Sequence, residues 1–156
     1  MLGWPETCKL LLEQISAEAS KYGESLQPPC DAKAVDSLRL RAREQLHLEI
    51  PPGYAEFLML HNGLDWDGLV IYASETHPIT GHVDRFIEGL VESNLGFRDN
   101  ARMRRFLVLG DSGMELYVYE PDENAYSTLD RVSLDRNQPF ASFPEMLAEA
   151  LRSRVG

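Results

Sequence analysis

Three β-rich runs follow one another in residues 106–129, which read FLVLGDSGMELYVYEPDENAYSTL. The first run, residues 106–110, is almost entirely apolar, as expected of a buried strand. The second, residues 114–120, alternates along its length, and the third, residues 125–129, is composed for a returning strand. Residues 121–124 supply the proline, acids and asparagine of a turn between them. The sequence therefore predicts sequential strands that pair antiparallel in one sheet.

The alternation of the second run predicts which of its side chains face the core. Successive side chains of a strand point to opposite faces of the sheet, and an antiparallel sheet can leave one face in water. We expect the core face to carry Met114, Leu116 and Val118, and the wet face to carry Glu115, Tyr117 and Tyr119.

Amphipathic helices are predicted before the sheet. Residues 50–63 predict a short helix, because prolines suit its first turn and Asn62-Gly63 suits its end. Two longer helices precede it, with apolar residues at helical spacing. Their stripes are Trp4, Cys8, Leu11, Leu12, Ile15, Ala19 and Tyr22 in the first, and Val35, Leu38, Ala42 and Leu46 in the second.

Three further elements complete the predicted fold. Residues 68–73 read as a first strand and residues 83–91 as a helix interrupted by Gly89. The run from Ser142 to Glu145 has the pattern of a capping box and begins a C-terminal helix. We therefore expect a single α+β domain, with N-terminal helices, a central antiparallel sheet and a C-terminal helix.

The composition is that of one globular domain. The chain has 156 residues, of which 44% are hydrophobic and 26% are charged. Its 15 basic and 25 acidic side chains give a formal charge of −10, which repels nucleic-acid phosphates, so we expect no direct binding to DNA or RNA. The sequence has no apolar run long enough for a membrane span and no secretory signal pattern. We expect a cytoplasmic protein whose Cys8 and Cys30 are reduced.

One tetrapeptide, Gly110-Asp111-Ser112-Gly113, has the letters that surround the nucleophile of trypsin-like serine proteases. A catalytic triad is defined by geometry rather than by letters, and that protease fold needs two β-barrels, for which this chain is too short. The structural alternative is a tight turn whose glycines relieve backbone constraints and whose Asp and Ser bond local N–H groups. We expect the turn and leave a small serine hydrolase as the less favoured alternative.

Acidic and histidine side chains do not form a metal-binding pattern in the sequence. Asp65, Asp67, Asp111 and Glu115 could gather in space, but they lack the loop spacing of a calcium-binding site. The four histidines show neither HxxxH nor HExxH spacing. We therefore expect no metal, no cofactor and no catalytic residue.

Trp66 stands between Asp65 and Asp67, in what the sequence indicates is a loop before the first strand. Core packing is the commoner role of a tryptophan. A large aromatic side chain flanked by acids is also the composition of an interface anchor with a charged rim. The sequence therefore predicts a contact with a partner at this position.

Residues 50–63, IPPGYAEFLMLHNG, resemble the LPxxYxxFLxxxNG helix of the SUKH superfamily. The strand at 68–72, the strand and Gly-Asp turn at 106–113 and the closing ASFPEML at 141–147 follow in that family's order. The resemblance covers residues 46–152, with residues 1–45 as a helical lead-in. The chain departs from the family pattern after the turn, where relatives carry further glycines. The resemblance implies a small non-catalytic binding domain, which in bacteria is usually an immunity protein.

We therefore expect a cytosolic immunity protein that binds a cognate bacterial toxin and blocks it. Many such toxins are nucleases, whose basic clefts would attract an acidic domain. A housekeeping scaffold or regulatory module of the same fold is the alternative. The predicted partner-binding residues are Asp65, Trp66, Asp67, Asp111, Glu115, Tyr117 and Tyr119.

Overall fold

A computed structural model describes residues 5–155, which form helices before, within and after a sheet. The helices are α1 (Glu6–Ser20), α2 (Ala32–Leu46), α3 (Pro52–Leu58), α4 (Leu90–Phe97) and α5 (Phe143–Arg152). The strands are β1 (Leu64–Trp66), β2 (Leu69–Ile71), β3 (His77–Pro78), β4 (Phe86–Ile87), β5 (Leu107–Asp111), β6 (Glu115–Glu120), β7 (Ala125–Asp130) and β8 (Arg136–Phe140). The predicted α+β single-domain arrangement is confirmed.

Six strands form one sheet in the order β1-β2-β5-β6-β7-β8, and neighbouring strands are antiparallel throughout. β3 and β4 pair separately as a small antiparallel hairpin. The three runs of residues 106–129 are β5, β6 and β7, so their sequential antiparallel pairing is confirmed. Because β1 is an edge strand, its outer side is open to the segments that pack beside the sheet.

The predicted helices of both chain ends agree with the structure. The apolar stripe of α2 is buried, as is that of α1 at Cys8, Leu11, Leu12, Ile15 and Ala19. Trp4 lies outside the described residues. Tyr22 is 72% exposed, because α1 ends at Ser20 before the stripe reaches it.

Within residues 5–155, no helix is both long and apolar enough to cross a bilayer.

α5 begins as its sequence predicts, and α3 begins at its prolines but ends at Leu58, before the predicted end at Asn62-Gly63. In α5, the Ser142 hydroxyl accepts a hydrogen bond from the Glu145 N–H at 3.2 Å, and the Glu145 carboxylate accepts one from the Ala141 N–H at 2.6 Å. α3 buries Tyr54, whose hydroxyl donates to the Tyr72 carbonyl at 2.6 Å. The first two contacts cap the start of α5, and the third joins α3 to the residue that follows β2.

The prediction of a wet face on β6 is wrong. Tyr117 is only 4% exposed, because it faces the cleft beneath α5, and Leu116 and Val118 on the other face are buried too. Tyr119 is half-buried, with its ring centroid 4.9 Å from that of Tyr126. Met114, predicted to face the core, is 79% exposed because it lies in the turn before β6. β6 therefore belongs to the core on both of its faces.

The segment around Trp66 also differs from its prediction. Trp66 lies in a strand, β1, and not in a loop, and β2 contains only residues 69–71. A two-residue turn joins these strands at Asp67 and Gly68, which have φ of +49° and +80°. Positive φ at both positions is the geometry of a type I′ hairpin turn, which Asp-Gly favours.

The predicted helix over residues 83–91 is wrong up to Gly89, and only Leu90 and Val91 of this stretch are helical. Ile87 pairs with His77 in the β3–β4 hairpin, and the helix begins only at Leu90. Gly89 lies between β4 and α4. Glycine is needed there because a Cβ atom would lie 2.6 Å from the backbone of Glu75 and of Thr76. The helical spacing of residues 83–91 is therefore overridden by pairing with a strand that the sequence pattern did not reveal.

Asn94 fixes α4 beside β5. This side chain is 1% exposed, accepts a hydrogen bond from the Val108 N–H at 2.8 Å and donates one to the Val108 carbonyl at 2.8 Å. Its carboxamide thus pairs with β5 as a neighbouring strand would. α4 consequently forms a wall along the sheet, close to the end of the short β2.

Candidate functional site

A pocket of about 150 Å³ lies against the outer side of β1. We call it the β1 pocket. The segment between α1 and α2 supplies one wall and the β3–β4 hairpin another. Its polar and aromatic lining consists of Glu24, Ser25, Gln27, Asp65, Trp66, Asp67 and Arg85. The hairpin turn at Asp67 places all three residues 65–67 at this pocket.

The β1 pocket has an excess of negative charge. Three carboxylates and one guanidinium line it. The Asp65 carboxylate lies 3.7 Å from the Arg85 guanidinium. Glu24 lies 3.0 Å from the His82 ring nitrogen, and this hydrogen bond lowers the pKa of the Glu24 carboxyl. Glu24 therefore stays ionised and also ties the α1–α2 segment to the hairpin.

A larger groove of about 550 Å³ lies on the face of the sheet that carries Asp65 and Asp111. We call it the sheet groove. α4 lines one side with Ser93, Gly96 and Phe97. The rest of its polar and aromatic lining consists of Asp65, Tyr72, Phe86, Glu88, Asp111 and Arg131.

Asp111 is held by two groups at the floor of the sheet groove. The Tyr72 hydroxyl donates a hydrogen bond to Asp111 Oδ2, and Arg131 lies 3.2 Å from Oδ1. Arg131 also donates to the Ser112 carbonyl at 2.7 Å. Burial, together with the hydrogen bond to Asp111, raises the pKa of Tyr72. The Tyr72 hydroxyl therefore keeps its proton and remains a donor. The Asp111 carboxylate is therefore fixed in one orientation.

The β1 pocket and the sheet groove share Asp65, so together they form one continuous surface. We call it the acidic surface. Five carboxylates line it against the guanidiniums of Arg85 and Arg131. Phe86 lies among them with 56% of its surface exposed. The carboxylates are those of Glu24, Asp65, Asp67, Glu88 and Asp111.

Four of the seven predicted partner-binding residues line the acidic surface: Asp65, Trp66, Asp67 and Asp111. The structure places the others elsewhere. Glu115 and Tyr117 line a cleft of about 330 Å³ on the α5 side of the sheet. Tyr119 packs on Tyr126 and donates to Asn124 at 3.1 Å.

Several residues of the acidic surface were missed in the sequence. Glu24 and Gln27 precede α2, Phe86 and Glu88 belong to the region of β4, and Arg131 follows β7. Loops bring them together from distant parts of the chain, and a single sequence carries no signal for that. The Asp67-Gly68 hairpin did have a signal, since Asp-Gly between β-rich residues favours a two-residue turn.

Ser112 has a structural role in this geometry. It is 7% exposed, and its hydroxyl accepts from the N–H groups of Met114 at 3.4 Å and Glu115 at 3.2 Å. Of the histidines, His61 bonds to the Gln27 carbonyl and His82 to Glu24. Within residues 5–155, no group of three or more His, Cys, Asp or Glu side chains is arranged to hold a metal ion.

Comparison with known proteins leaves the family open. No protein-family model matches the chain, and no curated protein matches it. The likeness of residues 46–152 to the SUKH superfamily therefore stays a prediction from the sequence. The acidic surface is the feature of the structure from which a function can be argued.

Proposed function

We propose that this chain is a non-catalytic protein-binding domain, a SUKH-type immunity protein that binds a basic bacterial toxin in the cytoplasm and blocks its active site. The observation that carries the proposal is the acidic surface, where five carboxylates face two guanidiniums around an exposed phenylalanine. A basic protein surface complements such a surface in charge.

Charge supports a protein partner with a basic face. The whole chain carries a formal charge of −10, so its field attracts cationic surfaces over distances of about 10 Å at ordinary salt. The excess of carboxylates on the acidic surface adds a local attraction. A nuclease cleft, which has to bind phosphates, is a surface of the required sign.

The acids of this surface should contribute in two ways. Asp65 and Asp111 are one quarter exposed or less, so an ion pair formed there is shielded from water and slows dissociation. Asp67 and Glu88 are exposed at the rim, where charge speeds association and loses its effect in salt. Phe86 supplies apolar area of the kind that anchors an interface.

The same surface suits the alternative of a housekeeping scaffold that binds an endogenous basic protein. The two functions differ in the identity of the partner and not in the chemistry of contact. The serine-hydrolase alternative gains no support, because the Ser112 hydroxyl is bonded to two backbone N–H groups of its own turn.

The experiment that tests the proposal is affinity capture from the native cell with the tagged protein. A double variant, Asp65→Asn with Asp111→Asn, removes the two shielded charges. Glu44→Gln, on the exposed side of α2, is the matched control that removes a charge outside the acidic surface. Each protein is first compared by circular dichroism and thermal unfolding, so that loss of binding is not loss of fold.

We expect wild type and Glu44→Gln to capture one toxin-like protein in one-to-one ratio, with association slowed by salt. The double variant should lose that capture. A stable partner with no toxin domain and an endogenous role would favour the scaffold. Capture that is equally strong with the double variant would overturn the role of the acidic surface.

A further inference from the structure

The outer edge of β1 presents the backbone of Asp65 to the β1 pocket. The two-residue turn makes Trp66 and Leu69 a hydrogen-bonded pair, so Asp65, paired with Val70, is at the next, non-hydrogen-bonded position. Its N–H and carbonyl therefore point away from β2. No residue of β2 lines the β1 pocket, so this outer edge is the side on which the pocket lies. Within residues 5–155, no backbone group forms a hydrogen bond with the Asp65 N–H or carbonyl.

Gln27 provides a second polar group without a full set of partners. It lines the β1 pocket although it is only 4% exposed. Its carboxamide oxygen accepts from the N–H and hydroxyl of Thr80 at 3.4 and 3.3 Å. Among the described residues its carboxamide nitrogen donates no hydrogen bond, and this accessible donor favours a ligand that brings a carbonyl oxygen.

The side chains around these groups favour a cation. Trp66, whose indole Nε1 donates to the Arg154 carbonyl at 3.4 Å, lines the pocket together with Glu24, Asp65 and Asp67, which carry carboxylates. A guanidinium stacks on an indole ring and forms two hydrogen bonds with a carboxylate, which a lysine ammonium does less well. Arg85, which lies 3.7 Å from Asp65, is 52% exposed and leaves the rest of the pocket open.

We infer that the β1 pocket binds an extended segment of the partner, whose backbone pairs with Asp65 and whose arginine side chain enters beside Trp66 between the carboxylates. A pairing strand offers N–H and carbonyl groups as hydrogen-bond partners for the backbone of Asp65 and the carboxamide nitrogen of Gln27. The volume of about 150 Å³ is many times that of a bound water and accepts one long side chain. The identity of the partner as a toxin rests on the proposed function, whereas the chemistry of the pocket does not.

A peptide titration tests the inference without the partner. The ¹⁵N-labelled protein is titrated, by NMR, with the capped tripeptide Val-Arg-Val, and separately with Val-Glu-Val. We expect millimolar binding of the arginine peptide, with the largest shift changes at the Asp65 amide, the Trp66 indole and the Gln27 carboxamide. A peptide N-methylated at arginine should bind several-fold more weakly, because the methyl group removes the backbone donor.

Two variants separate the pocket from the fold. Asp67→Asn keeps the turn, since asparagine tolerates the φ of +49° at this position, and it removes one carboxylate. We expect it to weaken the arginine peptide several-fold, while Glu44→Gln leaves binding unchanged. Equal binding of both tripeptides, or shift changes confined to other surfaces, would overturn the inference.

The captured partner gives an independent check. A toxin that is captured equally well by wild type and by Asp67→Asn combined with Trp66→Leu would refute the pocket and leave the proposed function standing. Peptide binding as described, with a cell that yields no toxin and a captured scaffold partner, would support the pocket and refute the immunity function. The two failures are therefore distinguishable.

Discussion

Asp65 and Asp111 lie on the same face of the sheet with Val70 between them, because Val70 pairs with Asp65 in β1 and with Asp111 in β5. Paired residues of neighbouring strands point to the same side. Each carboxylate also lies beside an arginine that is roughly half-exposed, Arg85 for Asp65 and Arg131 for Asp111. Each pair thus joins a shielded carboxylate to an arginine that reaches into solvent, so a partner's cation can approach either carboxylate from the solvent side.

Tyr72→Phe should lower the free energy of unfolding by about 1 kcal/mol, because it removes the hydroxyl that donates to the Asp111 carboxylate. The cost stays moderate since Arg131 still lies beside Asp111. Urea unfolding measures it. Tyr119→Phe is the control, because its hydroxyl bonds to the exposed Asn124, and a change of only a few tenths of a kcal/mol is expected there. Equal effects of the two variants would contradict a special role of the Tyr72 bond.

Gly68→Ala should destabilise the fold by about 1 kcal/mol or more, because φ is +80° at this turn position and a Cβ atom is disfavoured there. Open space surrounds the position, so the cost is one of backbone conformation and not of a clash. Asp67→Asn should stay within about 0.5 kcal/mol of wild type, since asparagine suits the same turn. Thermal unfolding of both variants checks the type I′ turn, and a neutral Gly68→Ala would argue against it.

Local patterns predicted much of the fold. Apolar spacing and caps identified α1, α2, α3 and α5, and the turn residues between Glu120 and Ala125 identified the β6–β7 pairing. These features depend on residues close in sequence. Tyr117 shows the limit, because alternation marks two faces of a strand but not that α5 covers the one predicted to be wet.

The candidate site was only partly predictable for a related reason. Asp65, Trp66 and Asp67 are adjacent in sequence, and acidity beside an aromatic residue was enough to select them. Gln27 and Arg85 reach the same pocket from segments far from β1 in the sequence, and only tertiary packing places them there. The pairing of residues 86–87 with β3 likewise overrode a helical spacing.

Asn94→Ala should lower the free energy of unfolding by about 2–6 kcal/mol. The substitution leaves the N–H and carbonyl of Val108 buried without their partners, and each unsatisfied group costs about 1–3 kcal/mol. Asn100→Ala serves as a control, because Asn100 is exposed and, within residues 5–155, its side chain accepts only from the Arg102 N–H. Its cost should be about 1 kcal/mol, as for a helix cap. Comparable losses for the two variants in urea unfolding would show that α4 is not held by Asn94.

Ser112→Ala should cost about 1 kcal/mol of stability, because the turn loses an acceptor for two N–H groups. Capture of the partner should persist, since Ser112 lies outside the acidic surface. The measurements are urea unfolding and affinity capture on the same preparation. An esterase or protease activity in wild type that disappears in this variant, with the fold intact, would instead establish the hydrolase alternative.

The contact between Glu24 and His82 should make the β1 pocket sensitive to acid. The hydrogen bond from His82 lowers the pKa of Glu24 from its ordinary value of 4.5 in the folded chain. A carboxyl with a lowered folded pKa stabilises the fold fully above its unfolded pKa, and this stabilisation is lost as pH falls through the folded pKa. At neutral pH the ionised Glu24 holds the α1–α2 segment to the β3–β4 hairpin. In the acid range Glu24 is protonated and this contact is lost.

Urea unfolding at about pH 7 and about pH 3 measures this effect in wild type and in Glu24→Gln. We expect wild type to be more stable than Glu24→Gln at neutral pH. The difference in their free energies of unfolding should shrink in acid, because the protonated Glu24 of wild type is then uncharged like the glutamine of the variant. Glu44→Gln, which is exposed on α2, sets the change expected from any lost surface charge. A difference for Glu24→Gln that is the same at both pH values would mean that the bond to His82 does not depend on the ionised carboxylate.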